Sequence, residues 1–306
     1  MPIRPFCLFS LGALLSITAC SSTRSSEAEP SFTSSSPPPS ARPIACANPR
    51  QLSPDTSDSC GSGGPHGQVE RRDYDGSYSW VGAPADAREP LPLIVVLHGD
   101  EGEPTNMLRF FTPVWRRRRN FILMAPECPR GLCNKGGVNT WSAGSWDHSE
   151  PQSEWLRGAI ADVANAYSVD VSRIHAIGFS GGAIFLGYQG FKRFQDIFAS
   201  IQWFCGGVNE TEEQVYQAPQ VPACKVAGRL VVSRSGDRDY IVSAANRIEE
   251  ILQHNGHHVE FLDTGCLGHC CEGTERADDL VKWALAQGPK CGAPLGEGCH
   301  FVTGTP

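Results

Sequence analysis

The sequence has no excess of basic residues, because 26 lysines and arginines stand against 33 aspartates and glutamates, giving a formal net charge of −7 at pH 7. Nucleic-acid binding needs concentrated positive charge, so nucleic acid is not an expected partner. The chain also lacks an internal repeat and any apolar run long enough to span a bilayer, which excludes a polytopic membrane protein. Its 306 residues, 40% hydrophobic and 19% charged, have the balance of a globular protein with one sizeable core.

The paired C-x2-C motifs of a structural zinc site are missing as well, although the chain has 13 cysteines. So many thiols are unusual in a reducing cytosol. They indicate an oxidising compartment in which disulfides form.

The N-terminus explains how the chain reaches such a compartment. Residues 1–19 carry one positive charge, Arg4, followed by an apolar run too short to cross a bilayer, which is the pattern of a signal peptide. Residues 17–20 read ITAC and resemble the bacterial lipobox, so Cys20 is predicted to be acylated and to anchor the exported protein to a membrane. The alternative is ordinary signal cleavage near Ala19, with Cys20 as one more thiol.

Four segments follow from this interpretation. After the signal peptide 1–19, residues 20–45 comprise the acylated cysteine and a tether rich in serine and proline, predicted to be disordered. Residues 46–290 form the predicted catalytic domain, and residues 291–306 a cysteine-containing tail. The domain is expected to face the periplasm or the cell exterior and to touch the membrane through the lipid anchor only.

Segments typical of strands and helices alternate along the catalytic domain. A hairpin is predicted over 68–81, with its turn at Asp75-Gly76. Further strands are predicted at 93–97, 121–124, 173–177, 197–201, 230–232 and 258–262. Helical periodicity fills the intervals, and Gly256 is placed to end one helix. The alternation predicts a doubly wound, mostly parallel α/β sheet.

The motif G-x-S-x-G occupies residues 178–182, directly after a predicted strand and before a helix-forming segment. This is the context of a nucleophile elbow, a strained turn that presents a serine hydroxyl to substrate. The glycines leave no Cβ to clash where strand, helix and substrate crowd together. Ser180 is therefore the predicted nucleophile.

A serine nucleophile needs a histidine base and a carboxylate, which follow it in that fold in the order Ser, Asp, His. His269 comes just after the last predicted strand and is the predicted base. Asp239, after the strand at 230–232, is favoured as the carboxylate, with Asp237 and then Asp263 as alternatives. All these residues lie past the carboxyl ends of strands, where open α/β sheets gather their sites.

Residues 91–285 resemble the α/β-hydrolase superfamily and, within it, the secreted esterases grouped with polyhydroxybutyrate depolymerases and feruloyl or acetyl-xylan esterases. The resemblance rests on four motifs: Leu97-His98-Gly99, Gly178-Phe179-Ser180-Gly181-Gly182, Gly236-x-x-Asp239-x-x-Val242 and Gly268-His269-Cys270. It implies an oxyanion hole built from the backbone N–H groups of Gly181 and Asp100.

The segment Asp100-Glu101-Gly102-Glu103 departs from the small or apolar residues that the family tends to have there. The departure leaves Glu101 as an alternative to Asp100 in the oxyanion hole. Acidic side chains are expected to point away from an oxyanion, and substrates that carry carboxylates are expected to be disfavoured.

Two loops bear on the substrate. Residues 206–228, where many lipases insert an apolar lid, are polar, so the α/β-hydrolase fold is expected here without a large lid. The loop 128–150 contains Trp141 and Trp146, whose rings are expected either to flank the cleft and stack on an aryl or sugar group, or to pack beneath their own loop. The expected substrates are short-chain, aryl or polymer-borne esters.

The resulting hypothesis is a serine hydrolase that cleaves carboxylic esters through an acyl-enzyme and needs no cofactor and no metal. A peptidase or acyltransferase of the same fold is one alternative, because an acyl-enzyme also forms from an amide or passes to an alcohol. A non-catalytic binding protein on a hydrolase scaffold is another, since fold does not imply function.

The cysteines other than Cys7 and Cys20 number eleven, so at least one is left without a partner in the same chain. Proximity in sequence suggests three disulfides: Cys46–Cys60, Cys128–Cys133 and Cys205–Cys224. Five cysteines remain: Cys266, Cys270, Cys271, Cys291 and Cys299. In an oxidising compartment we expect these five to form disulfides that hold the His269 loop rather than to bind a metal.

Overall fold

A computed structural model describes residues 67–85, 87, 89–135, 138–141, 150–218, 226–269 and 274–290. The described residues all belong to one unit of the chain, Arg42–Pro306. The predictions for the signal peptide, Cys20, the tether and the C-terminal tail lie outside the described residues. The same is true of Trp146, of the pair Cys46–Cys60 and of Cys224, the predicted partner of Cys205.

The described residues form ten strands: β1 (Val69–Tyr74), β2 (Ser77–Gly82), β3 (Leu91–Leu97), β4 (Ile122–Pro126), β5 (Asn134–Lys135), β6 (Val138–Asn139), β7 (Val169–Phe179), β8 (Phe198–Phe204), β9 (Ala227–Val232) and β10 (Val259–Asp263). Eight of them make one sheet in the order β1-β2-β4-β3-β7-β8-β9-β10. The pairs β1/β2 and β2/β4 are antiparallel, and every other neighbouring pair is parallel. The mostly parallel sheet is confirmed.

The same residues form seven helices: α1 (Pro104–Arg118), α2 (Arg130–Cys133), α3 (Glu150–Ala166), α4 (Gly181–Arg193), α5 (Glu212–Val215), α6 (Asp239–His254) and α7 (Thr274–Ala286). None of the helices within these ranges is long and apolar enough to cross a membrane. Between β8 and β9, the described part of the chain contains only the four-residue α5 as regular structure.

Helices cover both faces of the sheet, and the central strand β3 shows this directly. Leu93 and Val95 belong to a core cluster with residues of α3, α4 and α6, whereas Ile94 and Val96 belong to a second cluster with residues of α1 and α7. Successive side chains of a strand point to opposite faces, so a strand buried on both sides is apolar at every position. The continuous apolar run of β3 is the sequence signature of this doubly wound packing.

Two glycine-containing segments have the backbone conformations that the sequence predicts. The hairpin β1/β2 turns at Asp75 (φ 37°) and Gly76 (φ 74°), and positive φ at both positions is the conformation that an Asp-Gly pair favours. Helix α6 ends before Gly256, which has φ 72°, as expected of a residue that stops a helix in the left-handed region.

Candidate active site

Ser180 lies at a sharp turn between β7 and α4, with φ 49° and ψ −109°. A non-glycine residue rarely adopts positive φ, and such strain persists only where the surrounding structure enforces it. The Ser180 N–H donates to the carbonyl of Phe204 at the end of β8, at 2.9 Å. The turn presents the hydroxyl at the carboxyl edge of the sheet, as the motif predicts.

Glycines make this turn possible through close approach of backbone to backbone. A Cβ added at Gly178 would lie 2.5 Å from the carbonyl oxygen of Gly182, and one added at Gly182 would lie 2.7 Å from that of Leu97. Gly206, which sequence reasoning missed, is equally confined, because its Cβ would lie 2.6 Å from Cβ of Ala183. The signal was present as a Gly-Gly pair one residue after the end of β8.

His269 lies between the serine and a carboxylate. Its Nε2 is 3.2 Å from Oγ of Ser180, and its Nδ1 is 2.8 Å from Oδ1 of Asp237. A carboxylate only accepts hydrogen bonds, so Nδ1–H donates to Asp237 and the neutral ring leaves Nε2 free to accept from the serine hydroxyl. These three side chains have the geometry of a nucleophile, a base and an orienting acid.

The carboxylate at this position is Asp237 rather than Asp239, which corrects the favoured assignment. The Asp237 side chain is fully buried, and its Oδ2 accepts the N–H of Ser233 at 2.7 Å in the turn that follows β9. Two residues later the chain has already entered α6, where Asp239 is exposed and lines a polar groove of about 460 Å³ together with Arg247 and Glu250.

Asp263, the remaining alternative for the acid, stabilises a turn instead. Its Oδ1 accepts the N–H groups of Gly265 at 2.9 Å and Arg234 at 3.2 Å. These backbone hydrogen bonds hold the pKa of the Asp263 carboxyl below its usual value.

The loop that carries His269 packs against the loop that carries the acid. The Ser233 hydroxyl donates to the carbonyl of Cys266. Gly236 leaves no space for a side chain, because its Cβ would lie 2.9 Å from the carbonyl oxygen of Gly268. Cys266 is in a disulfide, as expected of the cysteines near the base. The acid and base loops therefore form one packed unit.

The two residues predicted to form the oxyanion hole lie next to each other. Gly181 is the first residue of α4, where an N–H has no acceptor within its own helix and the helix dipole favours negative charge. The loop after β3 approaches this turn closely, since a Cβ at Gly99 would lie 3.1 Å from Cβ of Ser180. This loop turns at Glu101 (φ 57°), with a hydrogen bond of 3.1 Å from Gly102 N–H to the Gly99 carbonyl.

The side chain of Asp100 does not point away from this site, contrary to expectation. Its Oδ1 accepts the hydroxyl of Thr140 and lies directly against Gly181, where an added Cβ would overlap it. Thr140, which nothing in the sequence singled out, is buried and follows the short hairpin β5/β6. A carboxylate therefore stands beside the predicted oxyanion hole.

His98 fixes the loop that carries Asp100. Its ring is fully buried, Nδ1–H donates to the Gly99 carbonyl at 2.8 Å, and Nε2 accepts the N–H of Cys128 at 3.3 Å. Burial lowers the pKa of His98, which keeps the ring neutral as both hydrogen bonds require. Cys128 is bonded to Cys133, which confirms that predicted disulfide.

Comparison with known proteins places this arrangement in a known fold. No family model matches the chain, and no curated protein sequence matches it. Among solved structures, the chain is similar to a thermostable esterase, with a TM-score of 0.54 at 17% identity over 72% of this chain and 62% of the other. It is similar to the Bacillus cereus carboxylesterase, with a TM-score of 0.52 at 13% identity over 68% of this chain and 93% of the other.

A third similar structure is the acylaminoacyl peptidase of Pyrococcus horikoshii, with a TM-score of 0.50 at 13% identity over 72% of this chain and 41% of the other. The chain thus spans less than two thirds of the thermostable esterase and less than half of this peptidase. Together with the strand order described above, these likenesses decide the fold. The chain has the α/β-hydrolase fold.

Within this α/β-hydrolase fold, Trp141 does not face the substrate. Its side chain is 0% exposed, and its ring packs against Phe185, His98 and Trp155 with centroid separations of 5.2, 5.9 and 6.3 Å. The expectation that Trp141 flanks the cleft is therefore wrong, and the alternative that it packs beneath its own loop is correct.

The described part of the chain contains no recognisable metal site. Across the described ranges, no three His, Cys, Asp or Glu side chains are grouped so that they could hold a metal ion. Four of the five cysteines considered as a possible metal group, all except Cys266, lie outside those ranges.

Proposed function

We propose that this protein is a serine hydrolase that cleaves carboxylic esters. The observation that carries the proposal is the hydrogen-bonded series Ser180–His269–Asp237 at a nucleophile elbow. The similarity to an esterase and a carboxylesterase in fold supports it.

In the first half of the reaction, Oγ of Ser180 attacks the ester carbonyl carbon while Nε2 of His269 accepts the hydroxyl proton. Asp237 holds the ring in the required tautomer and stabilises the imidazolium that forms. The N–H groups of Gly181 and Asp100 bind the oxyanion, and each such donor contributes roughly 10²–10³ in kcat in a comparable site. His269 then donates its proton to the leaving alcohol, and Ser180 is left as an acyl ester.

In the second half, water attacks the acyl carbonyl while His269 takes one of its protons. The tetrahedral intermediate collapses, the proton returns to Oγ of Ser180, and the carboxylic acid leaves. The residues of this chain supply every proton transfer, so no cofactor takes part in the proposed mechanism.

We further propose short-chain, aryl or polymer-borne esters as the substrates. The His269 side chain is 43% exposed, and the described part of the interval between β8 and β9 offers only the small α5 as cover. Over the described residues, a site this open has little apolar surface with which to enclose a long acyl chain. The finer assignment, to the group of polyhydroxybutyrate depolymerases and feruloyl or acetyl-xylan esterases, rests on the resemblance of the four motifs.

The test of the activity is Ser180→Ala, assayed with p-nitrophenyl esters from acetate to palmitate and with a fluorophosphonate probe that labels activated serines. We expect the variant to lose labelling and to keep less than about a hundredth of wild-type kcat, because loss of the nucleophile removes several orders of magnitude. Ser243→Ala, at an exposed serine on α6, is the matched control and should retain both. An active Ser180→Ala would contradict the proposal, and a rate maximum at ten carbons or more would contradict the open site.

Assays of the same protein distinguish the alternative functions. A peptidase would cleave p-nitroanilides of the same acyl groups at comparable kcat/KM, an acyltransferase would yield mainly the new ester when an alcohol is added, and a binding protein would not react with the probe. The similarity to a peptidase in fold makes the anilide assay worth including.

We also propose that the protein is exported and held at a membrane through an acyl group on Cys20. The support is the sequence of residues 17–20 together with the serine- and proline-rich tether. Cys20→Ala should move the protein from the membrane fraction to the soluble fraction, because stable anchoring requires the acyl chains. Unchanged membrane association would contradict the anchor.

A further inference from the structure

The position of the Asp100 carboxylate is fixed by its surroundings. Oδ1 accepts the hydroxyl of Thr140 and lies against Gly181. Thr140 is itself held, because its N–H donates to the carbonyl of Cys133 at 2.9 Å in the segment closed by the Cys128–Cys133 disulfide. The carboxylate is thus tethered beside the residue whose N–H receives the oxyanion in the proposed mechanism.

Further carboxylates surround the same loop. Asp100, Glu103 and Glu127 all favour the charged form of the buried His98 ring, and so raise its pKa against the larger effect of burial. Arg130 offsets part of this charge through its ion pair with Glu127 at 3.4 Å. The described residues around the oxyanion loop thus include three carboxylates and one guanidinium group.

We propose that Asp100 is a specificity-determining residue that selects esters whose acyl group carries a positive charge and disfavours those whose acyl group carries a carboxylate. This inference rests on the proposed esterase activity and names the charge of its substrate class. A fixed negative charge beside the oxyanion hole repels both the forming oxyanion and an anionic acyl group, whereas a cation on the acyl chain cancels the repulsion. Because Asp100 is exposed, solvent screens the interaction, and the expected discrimination is about two- to fivefold for each unit of charge.

The test uses three p-nitrophenyl esters that share a three-methylene acyl spacer. The cationic ester is that of 4-(trimethylammonio)butyrate, its neutral isostere is that of 5,5-dimethylhexanoate, and the anionic ester is that of hemiglutarate. The cationic and neutral esters differ by one atom, nitrogen for carbon, so their kcat/KM ratio reports charge at constant shape. We expect wild-type ratios of about two to five for cationic to neutral and about two to five for neutral to anionic, both smaller at high ionic strength.

Asp100→Asn removes the charge and keeps the size of the side chain, so both ratios should fall to about one. Thr140→Val keeps the charge but releases the carboxylate from its position, and should give intermediate ratios. Asp239→Asn is the matched control, because it removes an exposed carboxylate that follows β9 at the same edge of the sheet and should leave both ratios at wild-type values.

The outcomes separate the two proposals. If wild-type protein hydrolyses the neutral ester but shows a cationic-to-neutral ratio near one, or if Asp100→Asn leaves the wild-type ratio unchanged, the role of Asp100 is overturned and the esterase activity stands. If wild-type protein hydrolyses none of the three esters and does not react with the fluorophosphonate probe, the proposed function itself fails. Because Thr140→Val tests the position of the Asp100 carboxylate through another residue, a poorly folded Asp100→Asn does not leave the inference untested: wild-type ratios in a folded Thr140→Val would also overturn it.

Discussion

Oδ1 of Asp237 lies 2.8 Å from Nδ1 of His269, and Ser233 ties both residues to the end of β9. The Ser233 N–H donates to Oδ2 of Asp237, and its hydroxyl donates to the carbonyl of Cys266 in the loop that carries the histidine. Each carboxylate oxygen of Asp237 is therefore held by a hydrogen bond, Oδ1 by the base and Oδ2 by the main chain of Ser233.

Asp237→Asn should lower kcat by roughly 10⁴. A serine protease loses about this much when the carboxylate that fixes the histidine tautomer is replaced by an amide. An amide offers Nδ1 a donor where an acceptor is needed, so the ring adopts the wrong tautomer. Steady-state hydrolysis of p-nitrophenyl acetate measures the effect. Asp239→Asn is the control and should change kcat less than twofold. The reverse order of losses would return the role to Asp239.

Gly206→Ala should disturb the turn that carries Ser180. The added methyl would lie 2.6 Å from Cβ of Ala183 and 2.8 Å from the carbonyl oxygen of Ser180. Overpacking of this kind destabilises a protein by about 1–3 kcal/mol. Chemical denaturation and kcat should both report the damage. Gly288→Ala, where nothing lies within 4 Å of the added carbon, should leave both nearly unchanged.

His175 should make the fold sensitive to acid. Its ring is fully buried, Nδ1 lies 2.9 Å from Oγ of Ser200, and Nε2 has no hydrogen-bond partner among the described residues. Burial, assisted by Arg173, lowers the pKa of His175 from 6.5 to about 4. The unfolded chain therefore binds a proton at a pH where the folded protein does not.

The sign of the effect follows from this direction of shift. The free energy of unfolding keeps the full contribution of His175 above pH 6.5 and loses it as the pH falls towards 4, by up to about 3 kcal/mol. Urea denaturation at pH 7.5, 5.5 and 4.5 should show a smaller acid-dependent loss in His175→Gln than in wild type. His254→Gln, at an exposed histidine, should follow the wild-type curve.

Arg119→Gly should stabilise the protein. Arg119 follows α1 with φ 52°, and its N–H closes the helix on the carbonyl of Trp115 at 2.9 Å. Glycine adopts this left-handed conformation without a steric penalty, so the free energy of unfolding should rise by about 0.5–1 kcal/mol. Arg116→Gly, inside the last turn of α1, should lower it by about 1 kcal/mol. Thermal denaturation in parallel distinguishes the two, and equal effects would contradict the explanation.

The sequence predicted those parts of the fold and site that depend on local chemistry. The Asp-Gly turn, the apolar strands and the elbow at 178–182 each follow from the conformation or burial that their residues require. His269 was identified because it is the first histidine after the last strand. In each of these places, residues close together in the sequence determine the local structure.

The parts that the sequence did not predict depend on contacts between distant segments. Asp237 and Asp239 share one loop, and the choice between them depends on a hydrogen bond from Ser233 that their spacing does not encode. Trp141 is assigned correctly only when its neighbours Phe185 and Trp155 are known, because an aromatic residue in a long loop fits either a cleft or a core. The contact of Thr140 with Asp100 joins residues 40 positions apart.

The order of the strands sets a minimum length for the loop that delivers the base. Ser180 follows β7 and His269 follows β10, three strands further along the sheet. Neighbouring strands are about 4.8 Å apart, so the imidazole must return across about 14 Å of sheet edge. An extended residue advances at most about 3.5 Å, so about four residues are the minimum, and the stretch from 264 to 269 exceeds that minimum by only about two residues. The number of strands between Ser180 and His269 therefore sets a lower limit on the length of this loop.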